Sequence, residues 1–105
     1  MAACLILTAV SDRREAGRLA KLLVSHKLAA CVTGIPGAVS HYRWKGKTET
    51  AREVLLLIKT QRGLRGKVEG FLKKHHPYEL PEILALPVSA GSKEYLTWLS
   101  SSVKK

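Results

Sequence analysis

Acidic residues, long apolar runs and targeting features are scarce in this sequence, and each shortage excludes a class of protein. The 105 residues include 8 acidic against 18 basic side chains, a formal net charge of +10. No apolar run approaches the roughly 20 residues that a membrane-spanning helix requires. The apolar stretch at residues 1–10 has no basic segment before it and is followed by the polar residues 11–14, which is unlike a secretion signal. We therefore predict a cytoplasmic protein without a membrane segment.

Catalytic and redox motifs are also missing. Asp12 is the only aspartate, so no Ser–His–Asp set can be assembled, and the phosphate-binding loops GxGxxG and GxxxxGKS/T are absent. Glu79 and Glu82 come nearest to a catalytic carboxylate pair, but nothing supplies a nucleophile beside them. Cys4 and Cys31 lie in apolar runs without CxxC spacing, so we expect free, buried thiols. The chain is predicted not to be an enzyme.

The sequence does contain enough apolar material for one globular domain. Hydrophobic residues make up 46% and charged residues 25%, which is ordinary for folded proteins, and the length predicts a single domain spanning 1–105. Basic residues are spread along the chain in pairs such as Arg13-Arg14 and Lys73-Lys74, without a basic tail. We interpret the charge as a solvated surface that binds nucleic acid only non-specifically, if at all. The aromatic and basic patch Tyr42-Arg43-Trp44 is expected to pack against a neighbouring subunit rather than stack on bases.

Apolar periodicity and turn residues predict four strands and three helices. Asp12 and Glu15 have the spacing of a helix capping box, and Lys45-Gly46 suits a tight hairpin turn. Pro36-Gly37 interrupts an apolar run and predicts a bulge within a long strand rather than its end. In chain order the predicted elements are a strand in residues 1–10, a helix from Ser11 or Asp12, a bent strand across 28–44, a strand at 54–58, a helix ended by His75-His76-Pro77, a strand at 83–88 and a helix introduced by Gly91-Ser92.

This order of elements predicts an α+β fold of the ferredoxin-like, split βαβ type, with an extra C-terminal helix. Right-handed crossovers place the first two helices on one face of a four-stranded antiparallel sheet. The strands are nevertheless apolar on both sides, as in Val54-Leu55-Leu56-Leu57-Ile58. Because an uncovered apolar face needs a partner, we predict that another copy of the chain covers it in a homo-oligomer.

One segment concentrates side chains that can bind a metal ion. Residues 75–82, His-His-Pro-Tyr-Glu-Leu-Pro-Glu, combine two imidazoles, two carboxylates and a phenol, and imidazole and carboxylate groups suit divalent copper or zinc. Adjacent histidines usually point apart, so His41 or a neighbouring subunit would have to complete a site. The alternative is that His75 and His76 cap the carbonyl end of the second helix. The residues alone leave both possibilities open.

Several strings together resemble one protein family, in the same order and with matching spacings over nearly the whole chain. They are KLAACV at 27–32, IPG at 35–37, YRWKGK at 42–47, EVLLLIKT at 53–60, HHPYELPE at 75–82 and ALPV at 85–88. As a set, they make the chain similar to the CutA divalent-cation tolerance family. The resemblance implies a ferredoxin-like homotrimer with sheets packed edge to edge around a three-fold axis. It also implies a role in tolerance of copper and other divalent cations.

The resemblance also implies a set of metal ligands. The family's His-His-Pro-Tyr motif carries ligand histidines, which correspond to His75 and His76, and the glutamate of its Pro-Glu pair corresponds to Glu82. Some members add a copper-binding cysteine at the end of the first strand, where this chain has Leu7. Cys4 lies three residues earlier and is expected to point to the other side of the sheet. The resemblance thus implies copper bound through His75, His76 and Glu82.

Two other functions remain alternatives to divalent-cation tolerance. Fold analogy with nitrogen-regulatory signalling trimers suggests a sensor that binds small molecules or anions in clefts between subunits. A structural trimer or partner scaffold is equally compatible with a small oligomeric domain that lacks catalytic machinery. The function predicted first is a divalent-cation (copper) tolerance protein that binds metal ions as a homotrimer.

Overall fold

The structure, a computed structural model, describes residues 2–104 and contains the predicted elements in the predicted order. A single 3₁₀ turn at Arg62–Leu64 leads into the second helix. No helix in residues 2–104 has the length and apolar character needed to cross a membrane. The elements are β1 (Ala3–Val10), α1 (Arg13–Ser25), β2 (Cys31–Trp44), β3 (Lys47–Gln61), α2 (Arg65–His75), β4 (Leu84–Pro87) and α3 (Lys93–Ser101).

The four strands form one antiparallel sheet in the order β2-β3-β1-β4. At its centre, Ile6 of β1 pairs with Ile58 of β3 on one side and with Ala85 of β4 on the other. The edge strands are therefore β2 and β4. Two strand–helix–strand units arranged in this way give the α+β, ferredoxin-like architecture that the element order predicted.

The β2–β3 hairpin has both predicted irregularities. Lys45 and Gly46 have φ values of 52° and 80°, the left-handed backbone that a type I′ hairpin turn requires. The pairing of β2 with β3 shifts between Ile35 and Ala38, which confirms the bulge at Pro36-Gly37. Gly37 itself has a φ of 83°, a conformation that glycine adopts without steric cost.

Several strand boundaries differ from the prediction: β2 begins at Cys31 rather than at residue 28, and β3 ends at Gln61 rather than at residue 58. β3 begins at Lys47 rather than Val54, because residues 47–53 are largely polar and give no apolar signal, although they pair with β2 along the hairpin. β4 is confined to Leu84–Pro87, where it pairs with β1. The last helix, introduced by Gly91-Ser92 as predicted, ends at Ser101, and Val103 just beyond it is buried.

One side of the sheet, which we call the helix face, is covered by α1 and α2 and holds the core. α1 begins at the predicted cap, where Asp12 Oδ1 accepts the Glu15 N–H at 2.9 Å. The Glu15 carboxylate pairs with Arg18. The largest fully buried apolar residues of this core are Ile6, Val10, Leu19, Leu23, Leu56, Ile58, Val68 and Leu72.

The other side of the sheet, which we call the open face, is equally apolar. Strand alternation and pairing place on it Leu5, Leu7, Ile35, Leu55, Leu57, Leu84 and Leu86. Within one chain, 55% of the Leu84 surface, 44% of Ile35 and 42% of Leu86 stay accessible to solvent. The predicted apolar face opposite the two helices is therefore present.

Candidate functional site

The predicted His75-His76 pair lies where α2 ends. His75 is the last helical residue, and His76 has extended backbone. The His75 carbonyl belongs to the last turn, whose carbonyls have no partner within the helix, and it accepts a 2.6 Å hydrogen bond from Arg18 Nη2 of α1. Arg18 is in turn held by Glu15 Oε1 at 2.7 Å. This carbonyl at the end of α2 is thus capped by an arginine of the neighbouring helix, a favourable place for a cation.

His76 is buried, and both of its ring nitrogens bond the backbone. Nδ1 accepts the Tyr78 N–H at 3.0 Å, so in the neutral ring Nε2 carries the hydrogen and donates it to the Ala9 carbonyl at 2.9 Å. Burial lowers the pKa of His76 below its ordinary value of 6.5, and the Ala9 carbonyl opposes that shift in part. His76 therefore fastens the turn after α2 to the end of β1 as a neutral imidazole.

His75 has a different environment. Its ring is half-buried and lies 4.3 Å from the Phe71 ring, tilted by 31°. No group in residues 2–104 makes a hydrogen bond to its ring nitrogens, since the bond at this residue goes to its carbonyl. His75 is thus the member of the pair whose nitrogens can bind an ion without losing another contact.

Tyr78 connects the turn after α2 to β3. Its hydroxyl donates a 2.8 Å hydrogen bond to Glu53 Oε2, and its ring lies 4.8 Å from that of His76. Burial raises the pKa of Tyr78, and the neighbouring Glu53 carboxylate raises it further. Tyr78 is accordingly a neutral phenol at neutral pH and remains a hydrogen-bond donor to Glu53.

A groove of about 760 Å³ lies between the β2–β3 hairpin and residues 78–82. Glu53, Glu79 and Glu82 line it, three of the 8 acidic residues in the sequence. Arg43 is the one lysine or arginine found in this lining within residues 2–104. We call this feature the acidic groove, because its lining is negative on a chain whose formal net charge is +10.

The predicted ligands do not converge within one chain. Glu82 lines the acidic groove, whereas His75 and His76 are not among its lining residues. Within residues 2–104, no three His, Cys, Asp or Glu side chains are grouped closely enough to hold one metal ion. The histidine in the acidic groove is His41, whose Nδ1 bonds Thr50 Oγ1 at 3.0 Å. The donors have the chemistry that copper prefers, but a closed site needs a second chain or a rearrangement.

Comparison with known proteins identifies the family. A family model described as CutA1 divalent ion tolerance protein matches residues 4–102. The chain belongs to the CutA1 family. The divalent-cation tolerance protein CutA of Yersinia pestis (strain Pestoides F) is 45% identical over 101 residues, which are 96% of this chain and 85% of that protein. The resemblance inferred from the sequence strings is therefore confirmed.

Solved CutA structures have the same fold. CutA from Xylella fastidiosa superimposes with a TM-score of 0.94 at 45% identity, covering 97% of this chain and 98% of that one. CutA1 from Oryza sativa gives a TM-score of 0.97 at 38% identity, covering 100% and 96%. The α+β architecture is thus that of the CutA1 family over essentially the whole chain.

Two β1 positions bear on a thiolate contribution to metal binding. Cys4 lies in the core of the helix face, while Leu7 lies half-buried on the open face, so the two do point to opposite sides. Burial raises the pKa of the Cys4 thiol above 9.0, against a smaller opposing effect of Arg65 and Arg62. Both cysteines are free, as predicted, but Cys31 is half-buried rather than buried.

Sequence reasoning missed Glu53 and the structural role of His76. Glu53 was visible as an acidic residue next to the apolar run 54–58, but its partner Tyr78 is 25 positions away. The contact between His76 and Ala9 spans 67 positions. These contacts form only because the turn after α2 packs against the strands of the sheet. The spacing of residues along the chain does not predict them.

Proposed function

We propose that this CutA1-family protein binds divalent cations, copper among them, as a homotrimer, with His75, His76 and Glu82 as ligands. The observation that carries the proposal is the acidic groove. A chain of formal net charge +10 repels divalent cations over most of its surface. Glu53, Glu79 and Glu82 create one locally attractive place, and Glu82 is the proposed ligand that lies in it.

The open face supports the homotrimer. Ile35, Leu84 and Leu86 are large apolar side chains with between 42% and 55% of their surface exposed in one chain, and burial against a copy would stabilise the assembly. β2 and β4 are edge strands, whose unpaired backbone groups can meet those of a neighbour. A second chain is also the simplest source of the donors that one chain does not bring together.

The two histidines are expected to contribute unequally to metal affinity. His75 can bind through a ring nitrogen that bonds no group in residues 2–104, whereas His76 would first have to release the Tyr78 amide or the Ala9 carbonyl. Each such hydrogen bond is worth about 1 kcal/mol. We therefore expect His75 to be the stronger ligand in the assembled protein.

Copper titration by calorimetry tests the ligand assignment. The variants are His75→Ala and Glu82→Gln, and the matched control is His26→Ala, which removes an exposed imidazole at the end of α1. Losing a ligand should weaken copper binding by about tenfold or more, whereas the control should bind like the wild type. Equal affinities for all four proteins would remove these ligands from the proposal. Affinity should also fall on acidification, because neutral imidazole is the ligating form.

The size of the acidic groove favours a small-molecule sensor as the second candidate. Its volume is in the range of ligand pockets, although three carboxylates against Arg43 favour a cationic ligand over an anion. A thermal-shift screen separates the candidates, because a ligand of the folded state raises its apparent stability. Stabilisation by organic cations but not by metal ions would favour the sensor, and the reverse would favour metal binding. A non-enzymatic role and a cytoplasmic location remain predictions.

A further inference from the structure

A cysteine, a lysine and a threonine meet at one end of the open face, outside the groove. Cys31 of β2 lies directly opposite Lys59 of β3 in the antiparallel ladder, and Thr33 follows two residues along the same face. Lys59 Nζ donates a 2.9 Å hydrogen bond to Thr33 Oγ1 and lies 3.7 Å from Cys31 Sγ. The sulfur and the threonine hydroxyl are 3.8 Å apart. An amine is thus held beside a thiol by a third side chain.

The surroundings of Lys59 keep its amine beside the sulfur. The ion pairs within residues 2–104 all belong to Glu15 or Glu69, so no carboxylate in that part of the chain holds the Lys59 side chain. Directly opposite residues of an antiparallel pair have neighbouring Cβ atoms, and Cys31, Thr33 and Lys59 are all half-buried. The amine therefore has a restricted range of motion, and its neighbours are a thiol and a hydroxyl.

We propose that peroxide oxidation joins Cys31 and Lys59 through a sulfur–nitrogen bond. In the first step, the Cys31 sulfur attacks hydrogen peroxide, the O–O bond breaks, and a sulfenic acid and water form. The sulfur loses two electrons, and the peroxide gains them. In the second step, the Lys59 amine, after giving one proton to solvent, attacks that sulfur. The S–O bond breaks and the oxygen leaves as water, so thiol, amine and peroxide yield a sulfenamide and two waters.

Thr33 is a positioning residue in this reaction. Its hydroxyl accepts the hydrogen bond from Lys59 Nζ at 2.9 Å and so holds the nitrogen within reach of the sulfur. The cross-link would tie β2 to β3 covalently on the open face. It would also remove the positive charge of Lys59, making that end of the face more apolar.

Cys4 provides an internal comparison. Its thiol is buried in the core of the helix face, and its sulfur lies 4.0 Å from the Leu5 carbonyl oxygen rather than beside an amine. Burial also keeps this thiol in its neutral form, which reacts slowly with peroxide. The two cysteines are on opposite sides of the sheet, so they cannot form a disulfide within one chain. Such a disulfide would also make the chain two hydrogen atoms lighter, as the proposed cross-link does.

The test uses the 105-residue chain with the substitution Cys4→Ser, treated with hydrogen peroxide in the presence of a metal chelator. The expected product is two hydrogen atoms lighter by intact mass spectrometry and returns to the starting mass with dithiothreitol. After trypsin, cleavage at Lys59 should be lost, and residues 28–43 should be found joined to residues 53–62. Addition of oxygen atoms without this linkage, or disulfide-linked pairs of chains instead, would overturn the proposal.

Variants separate the chemistry from a merely structural effect. Lys59→Arg keeps the charge but should stop the reaction at the sulfenic acid, which dimedone then traps on Cys31. Thr33→Val should slow formation of the cross-link, and Thr33→Ser should restore it, because serine keeps the hydroxyl. The same loss of mass in Lys59→Arg would overturn the proposal. So would a Cys31 that peroxide reaches only after unfolding.

Discussion

The helix face and the open face of the sheet are built from the same kinds of side chain but differ in what lies over them. On the helix face, Ile6, Leu56 and Ile58 keep at most 1% of their surface exposed, because α1 and α2 cover them. On the open face, Leu84 and Leu86 expose 55% and 42%. Apolar content alone therefore does not decide whether a face stabilises the chain or serves assembly. The position of the helices decides it.

The largest expected effect comes from charging the open face. Leu84→Lys combined with Leu86→Lys would place two unpaired charges in the proposed interface, at a cost of about 3–5 kcal/mol or more. Light scattering should show the assembled mass falling towards that of the 11.5 kDa chain. Val24→Lys is the matched control, since Val24 is similarly exposed at 43% but lies on α1. An unchanged mass for the double variant would mean that the open face is not the interface.

On the helix face, Leu72→Ala should act on folding rather than on assembly. Leu72 is fully buried between α2 and the sheet, and truncating such a side chain costs about 2–5 kcal/mol in free energy of unfolding. Urea unfolding followed by circular dichroism measures the loss, and light scattering at low temperature should still give the wild-type mass. Dissociation without loss of stability would contradict the view that the helix face stabilises the fold and the open face serves assembly.

A smaller effect is expected at the end of the sheet, where His76 joins the turn after α2 to β1. Its pKa is lowered in the folded chain, so as the pH falls below about 6.5 the unfolded chain takes up the proton first, and stability declines. The decline continues until the pH passes the folded-state pKa. Protonation also removes Nδ1 as the acceptor for the Tyr78 amide.

Free energies of unfolding measured between pH 7 and pH 5 in a matched pair of variants test whether His76 causes this loss of stability. His76→Gln should lose about 1–3 kcal/mol at neutral pH and should lack the decline that its titration causes. His75→Gln should retain that decline, because its ring nitrogens bond nothing in residues 2–104. If the decline disappeared in His75→Gln and persisted in His76→Gln, then His76 would not be its cause and the prediction would be wrong.

The smallest expected effect distinguishes two threonines of the helix face. Thr8 and Thr60 are both fully buried, but Thr60 Oγ1 donates a 2.6 Å hydrogen bond to the Leu28 carbonyl. Thr8 Oγ1 has no partner within residues 2–104. Thr60→Val should therefore cost about 1 kcal/mol, while Thr8→Val should stabilise the chain by up to about 1 kcal/mol. Equal losses in thermal unfolding would show that Thr8 has a partner after all.

Much of the fold could be predicted because its signals are local. The bulge at Pro36-Gly37, the turn at Lys45-Gly46 and the Asp12 cap each depend on a few adjacent residues whose backbone preferences are strong. The candidate site was only partly predictable. Glu82 was identified by its residue type, but its place in the acidic groove depends on how residues 78–82 meet the hairpin.

By itself, the sequence determined the order of the elements, their two apolar sides and the family, because periodicity, turn residues and motif spacing are carried along the chain. Only the tertiary structure decided that the His76 ring bonds the backbone, while the His75 ring nitrogens bond no group in residues 2–104. It alone placed Lys59 beside Cys31 and gathered three carboxylates on a basic chain. These contacts join residues far apart in sequence, and their geometry is fixed only when the strands pair and the helices pack.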